Sequence, residues 1–161
     1  MGSTRLTKRT TLATLLLAIL STAVHVTAAA PATPAEQRYV ASLKINYLPF
    51  RKAFISATGP CLQCNLPRCR ATLAASGRAA AKLLPALLRA SVPKSLDSAH
   101  RQLTRGVREL QAWTKKYVAA IDAGNDAALR TICACRAPSQ NVTNAIGEIS
   151  FVTGIDLPIL A

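Results

Sequence analysis

Hydrophobic side chains recur at helical spacing over residues 35–58, the first patterned segment outside the N-terminus. They fall three and four residues apart, which is the spacing of one face of a helix. Pro49 lies inside this segment, and Gly59-Pro60 follows it. We therefore expect a first helix that is kinked or split at Pro49 and that ends at Gly59. Its predicted core residues are Tyr39 or Val40, Leu43, Tyr47, Phe50 and Phe54.

A second helix is predicted for residues 69–90, where apolar and basic residues separate onto different faces. Pro85 interrupts this pattern, and residues 91–95 have the composition of a turn. The basic face consists of Arg78, Lys82 and Arg89. The predicted core face consists of Leu73, Gly77, Ala80, Leu84 and Leu87.

The third predicted helix has the clearest pattern, an amphipathic stretch of about 27 residues. Ser95 is the expected N-cap, because a serine hydroxyl can accept from the free amides of a first turn. The apolar stripe repeats every seven residues at Leu96, Leu103, Leu110 and Tyr117, and Ala99, Val107, Thr114 and Ile121 fill the same side. The basic residues lie mostly off this stripe: Arg101, Arg105, Arg108, Lys115 and Lys116.

Two further helical segments follow a turn at Gly124-Asn125. Asp126 opens the first of them, where a carboxylate favours the positive end of the helix dipole. Pro138 interrupts the pattern, and a further helix with Val142, Ile146 and Ile149 inward is expected to stop at Gly154. Few windows alternate as a strand does. The chain is therefore predicted to be all-α, a small four-helix up-and-down bundle with proline kinks, against which the apolar residues 155–161 pack.

Residues 1–30 have the three parts of a secretory signal peptide. Arg5, Lys8 and Arg9 form a basic start, residues 10–26 are mostly apolar, and the small residues 28–30 offer cleavage sites. An uncleaved membrane anchor is the alternative, because the apolar stretch is long enough to span a bilayer. Polar residues dilute that stretch, which favours cleavage. We expect a single helical domain, 31–161, that is secreted or held in the periplasm or cell envelope.

The charge of the chain is strongly positive. It holds 20 basic and 7 acidic residues, and without the three basic residues of the signal peptide 17 remain, an excess of about +10. A solvated surface needs less charge than this, and such an excess attracts anions. Anionic lipid, wall polymer or an acidic protein are the expected partners. No nucleic-acid motif is present, and Trp113 and Tyr117 lie on the core side rather than among the cations.

Five cysteines fall in two clusters, and disulfides are the default in an exported protein. The turn at 91–95 folds the second helix back along the third, so the clusters are expected to meet. A bridge between them would close about 70 residues and stabilise by about 4 kcal/mol. One cysteine remains unpaired, and Cys69 is the candidate. The clusters are Cys61, Cys64 and Cys69, and Cys133 and Cys135.

Two sharper interpretations of the cysteines stay open. Cys61/Cys64 and Cys133/Cys135 could supply four thiolates to a zinc ion, although the spacing is not a standard one. Cys61 and Cys64 could also exchange disulfides, although that motif usually belongs to a βαβ unit. No cofactor is expected.

Catalytic signatures are scarce in this sequence. His100 is the one histidine outside residues 1–30 and is expected at the boundary or surface of a helix. Asp122 and Asp126 straddle a turn and are best explained as helix-end residues. Asn141-Val142-Thr143 forms a glycosylation sequon. The pattern favours a non-enzymatic exported module on an anionic partner. The alternative is a metal-binding or thiol-redox protein built on the cysteine clusters.

Overall fold

Five α-helices and one 3₁₀ turn make up the part of the protein that the structure describes. The structure, a computed structural model, describes residues 31–63, 65–134 and 138–160, and of 131–134 the backbone alone. The elements are α1 (Pro34–Leu62), α2 (Leu66–Arg89), a 3₁₀ turn (Lys94–Leu96), α3 (Asp97–Asp122), α4 (Asp126–Ala134) and α5 (Gln140–Thr153). No strand occurs in these residues, so the all-α prediction is confirmed. The predicted signal peptide lies outside them.

The four long helices form the predicted up-and-down bundle. α2 packs against both α1 and α3, and α5 packs against α3. Contacts between Glu36 and Ser95 and between Tyr39 and His100 bring the N-terminal ends of α1 and α3 together. α1 and α3 therefore run parallel, and α2 runs back between them. The short α4 is a fifth helix that packs against α3.

α1 is longer and less interrupted than its sequence predicted. Its predicted core positions are all buried. Pro49 does not split it, because Pro49 and Ile45, whose carbonyl the proline leaves without a partner, both lie on the exposed face where water can bond that carbonyl. The predicted end at Gly59 is wrong. The helix continues through Pro60 to Leu62, and Gln63 N–H bonds Gly59 C=O at 3.0 Å.

The starts of α2 and α3 also differ from prediction. α2 begins at Leu66 rather than at residue 69, because Asn65 accepts from the Arg68 amide at 3.2 Å and caps it. Ser95 does not cap α3. It lies in the 3₁₀ turn, and its hydroxyl donates to Glu36 Oε1 at 2.6 Å instead. α3 begins at Asp97 without a side-chain cap.

The C-terminal part of the chain closes the bundle between α1 and α5. Gly154 ends α5 in the left-handed region, at φ 63°, as predicted. Segment 154–160, which has no regular secondary structure, then runs back along the helices with Leu157 and Leu160 buried. Its carbonyls accept from Tyr47 at 2.7 Å and from Arg51 at 2.8 Å, both on α1. The expectation that this apolar segment packs against the bundle is confirmed for these residues.

Candidate functional site

The basic face of α3 rests on a seven-residue repeat. Arg101, Arg108 and Lys115 follow at intervals of seven, so helical geometry places them on one stripe. Arg105 and Lys116 flank this stripe, and all five side chains are exposed. The buried residues of α3 lie on its other side, so the core holds the helix and fixes the direction in which the stripe faces.

α2 adds three exposed cations, of which Arg78 lies next to this stripe. Because α2 and α3 are antiparallel neighbours, Arg78 comes level with Lys115, and the two side chains line the same groove between the helices. Lys82 lines the groove on the other side of α2, against α1, and Arg78 borders that groove as well. Arg89 lies at the last residue of α2. The predicted basic residues therefore wrap around an edge of the bundle and do not share one flat face.

In the described residues, most of these cations form no ion pair, because the nearby carboxylates bind other groups. Arg101 pairs with Asp97, one turn earlier on α3. Asp122, at the end of the same helix, pairs with Arg70 rather than with a residue of the basic face. Glu109 accepts from the Asn141 amide at 2.8 Å and thus faces α5. Among the described residues, the other seven predicted cations have no carboxylate partner.

The groove between α2 and α3 has an apolar floor and a charged rim. Its volume is about 460 Å³. Thr114 on its wall is buried, and its hydroxyl donates to the Gln111 carbonyl at 2.9 Å, so it offers no free donor. The apolar part consists of Leu73, Ala74, Gly77, Ala81, Val118 and Ala119. The polar rim consists of Arg78, Gln111, Lys115 and Asp122.

The disulfide in the described residues lies within the first cysteine cluster. Cys61 bonds Cys69 across a Cα–Cα distance of 4.7 Å. The prediction that Cys69 is the unpaired cysteine is therefore wrong. Cys61 also cannot bridge to the second cluster or form a free dithiol with Cys64. The short connection between α1 and α2 explains this pairing, because it brings the last turn of α1 beside the first turn of α2. Cys64, Cys135 and the side chain of Cys133 lie outside the described residues.

His100 lies at the boundary of the core, as expected, and contacts Tyr39. Its Nδ1 lies 2.9 Å from the Tyr39 hydroxyl, and the rings meet edge to face. Partial burial lowers the pKa of His100, and the neighbouring Arg101 acts in the same direction while Asp97 opposes it. Burial raises the pKa of Tyr39 well above its usual range. The pair therefore joins a neutral imidazole and a protonated phenol through a hydrogen bond, and it ties α1 to α3 at the boundary of the core.

Glu36 is a buried acid that the sequence reasoning missed. Its carboxylate accepts from Ser95 at 2.6 Å and from the Thr33 amide at 2.7 Å. These hydrogen bonds, that of Ser95 first, lower the pKa of Glu36. Thr33 and Glu36 form a capping box, and the spacing Thr-x-x-Glu before an apolar run is a signal that could have revealed it. Its link to Ser95 could not be read from the sequence.

The sequon asparagine is engaged in the α3–α5 contact. Asn141 Nδ2 donates to Glu109, as described above, and Asn141 Oδ1 lies 3.5 Å from Gln102 Nε2. Thr143, the third residue of the sequon, donates to the Leu160 carbonyl at 2.8 Å. A glycan on Nδ2 in the folded protein would compete with these contacts.

The described residues offer neither a cluster of metal ligands nor a membrane-spanning helix. Residues 31–63, 65–134 and 138–160 hold no group of three or more histidine, cysteine or acidic side chains that could bind a metal ion. None of the helices described has the length and hydrophobicity required to cross a bilayer.

Comparison with known proteins gives no match: no protein-family model, no curated protein and no solved structure is recognisably similar to this chain.

Proposed function

We propose that this chain is an exported, non-enzymatic helical module that associates with an anionic surface or partner through the basic outer sides of α2 and α3. The observation that supports the proposal best is a set of seven exposed cations on two helices anchored by a shared core, none of which has a carboxylate partner among the described residues. Positive charges held close together on a rigid surface create a local electrostatic field that attracts anions.

An anionic lipid surface is the partner that can be tested most directly. A basic side chain near such a surface contributes about 1 kcal/mol to binding. Salt screens this attraction over a Debye length of about 8–10 Å. The protein, purified from an exporting host, is expected to cosediment with phosphatidylglycerol vesicles and to dissociate from them as the salt concentration rises. It is expected not to bind phosphatidylcholine vesicles.

Two double variants distinguish binding through the basic outer sides of α2 and α3 from binding through net charge alone. Arg108→Gln with Lys115→Gln removes two cations from the α3 stripe, and Arg38→Gln with Lys52→Gln removes two exposed cations from α1. The first pair is expected to weaken vesicle binding about 30-fold, since two contacts of about 1 kcal/mol are lost. The α1 pair is expected to have a smaller effect. Equal losses, or binding that does not depend on salt, would contradict the proposal.

Export rests on residues 1–30 and is tested separately. The intact mass of the secreted protein is expected to match a chain that begins after residue 29, 30 or 32, because small residues precede each of these cleavage points. A mass that includes the N-terminal methionine and its apolar stretch would support the anchored alternative instead.

A further inference from the structure

The groove between α2 and α3 combines an apolar floor with unpaired cations on its two walls. Its lining spans residues 73–81 of α2 and 111–122 of α3. At about 1.5 Å per residue, these stretches are about 12 and 16 Å long. The groove is therefore elongated along the helix axes.

The floor of the groove lies where α2 and α3 touch. A Cβ placed on Gly77 of α2 would lie 3.3 Å from Thr114 Oγ1 of α3, so the two helices are in direct contact beneath the groove. The groove is therefore an open channel along the surface of the two helices. A single extended hydrocarbon chain can follow such a channel, and a volume of about 460 Å³ gives it room.

Charge on the walls decides what kind of head group such a chain would carry. Arg78 on α2 and Lys115 on α3 border the groove from opposite sides. The one carboxylate in the lining, Asp122, is paired with Arg70 and so does not neutralise them. An anionic head between Arg78 and Lys115 would gain two charge-assisted contacts.

We propose that the α2/α3 groove binds a single-chain anionic lipid, its acyl chain along the apolar floor and its anionic head against Arg78 and Lys115. This inference rests on the proposed function, because it gives Arg78 and Lys115, two cations on the basic outer sides of α2 and α3, a lipid head group as their partner. It also names a defined site in place of a diffuse charged surface.

Laurate is the probe, titrated by calorimetry into the protein from an exporting host. Binding of one laurate per chain is expected. Butyrate has the same head with a short chain, and dodecyl maltoside has the same chain length with a neutral head. Each is expected to bind at least tenfold more weakly. Butyrate binding as tight as that of laurate would reveal a simple anion contact and overturn the inference, as would an absence of laurate binding at millimolar concentration.

Variants locate the site. Arg78→Gln with Lys115→Gln is expected to weaken laurate binding at least tenfold. Arg105→Gln with Lys116→Gln, the same loss of charge outside the groove lining, is expected to change it less than twofold. Equal effects of the two pairs would overturn the inference.

A groove-filling variant separates this site from the vesicle association. Ala81→Leu with Ala119→Leu adds bulk at two exposed positions of the groove lining and keeps every charge. It is expected to abolish laurate binding and to leave salt-dependent vesicle binding intact; laurate binding that survives the filling overturns the groove site alone. If the unmodified protein binds laurate but does not bind vesicles, the result would contradict the proposed function alone. Circular dichroism checks folding, and the charge pairs decide the matter if the filled variant does not fold.

Discussion

Gly106 lies where α3 meets α5, at a contact too close for a larger residue. A Cβ placed there would lie 2.8 Å from Val142 Cγ2 and 2.9 Å from the Val142 amide nitrogen. Gly106→Ala is expected to destabilise the protein by about 1–2 kcal/mol. Overpacking costs about 1–3 kcal/mol, and the helix preference of alanine offsets part of it. Urea unfolding followed by circular dichroism measures the difference.

Gly147 on α5 supplies the matched control for that substitution. It is also a glycine within a helix, but apart from its chain neighbours and the nearby backbone of α5, no atom of the described residues lies within 4 Å of a Cβ placed there. Gly147→Ala is expected to stabilise by about 0.5–1 kcal/mol, since only the helix preference changes. A Gly106→Ala variant as stable as Gly147→Ala would show that α3 and α5 are not in close contact at this point.

His100 gives the protein a pH dependence whose sign follows from its lowered pKa. The unfolded chain takes up this proton near pH 6.5, whereas the folded protein takes it up at a lower pH. The free energy of unfolding is therefore expected to fall as the pH drops below about 6.5, because the unfolded state binds the proton first.

Comparison with His100→Gln isolates this contribution, since the two proteins differ only in that side chain. The difference in unfolding free energy between the two is expected to shrink from pH 7.5 to pH 5.5. The single imidazole outside residues 1–30 also allows a direct NMR titration. A folded-state pKa at or above 6.5 would refute the assignment.

At the scale of the elements, the disulfide joins the end of α1 to the start of α2. It closes a loop with a sequence separation of 8. A loop this short is expected to stabilise by about 2.5 kcal/mol in the chain-entropy model. Cys61→Ala with Cys69→Ala should lower the free energy of unfolding by at least that amount, because Cys69 is also buried in a core cluster with Leu73 and Tyr117.

Peptide mapping tests the pairing itself. Trypsin cuts after Lys52, Arg68 and Arg70, so a Cys61–Cys69 bridge attaches the dipeptide Cys69-Arg70 to the peptide 53–68. Fragmentation of the linked pair then distinguishes Cys61 from Cys64. Attachment of Cys69 to the peptide 131–136, which holds the second cysteine cluster, would contradict the structure.

At the scale of the whole molecule, the positive excess acts against compactness; it is +13 for the full chain and about +10 without the basic residues of segment 1–30. Like charges repel more in the folded chain than in the expanded one, and salt screens this repulsion. The melting temperature is therefore expected to rise by about 2–4 °C between 10 and 150 mM sodium chloride. The variant that combines Arg108→Gln and Lys115→Gln should show a smaller rise, and a melting temperature that falls with salt would contradict this account.

The sequence by itself determined which segments are helical but not every helix end, because the signals for a helix lie within a few residues of one another. The seven-residue repeat of Leu96, Leu103 and Leu110 placed α3, and all three residues are buried. Gly154 stopped α5 where predicted, because only a residue without a Cβ adopts a positive φ freely. The exposure of the basic residues was predictable for the same reason, since they lie off the apolar stripe.

Tertiary structure alone decided how distant residues meet. Ser95 had the right local position to cap α3, but the packing of α1 against the 3₁₀ turn placed Glu36 within reach of its hydroxyl. Cys69 pairs with Cys61 because the connection between α1 and α2 is short, which no cysteine count reveals. Arg78 and Lys115 share a groove only because α2 and α3 are antiparallel neighbours. Periodicity is a local property of the chain, whereas register and pairing depend on the packing of the whole core.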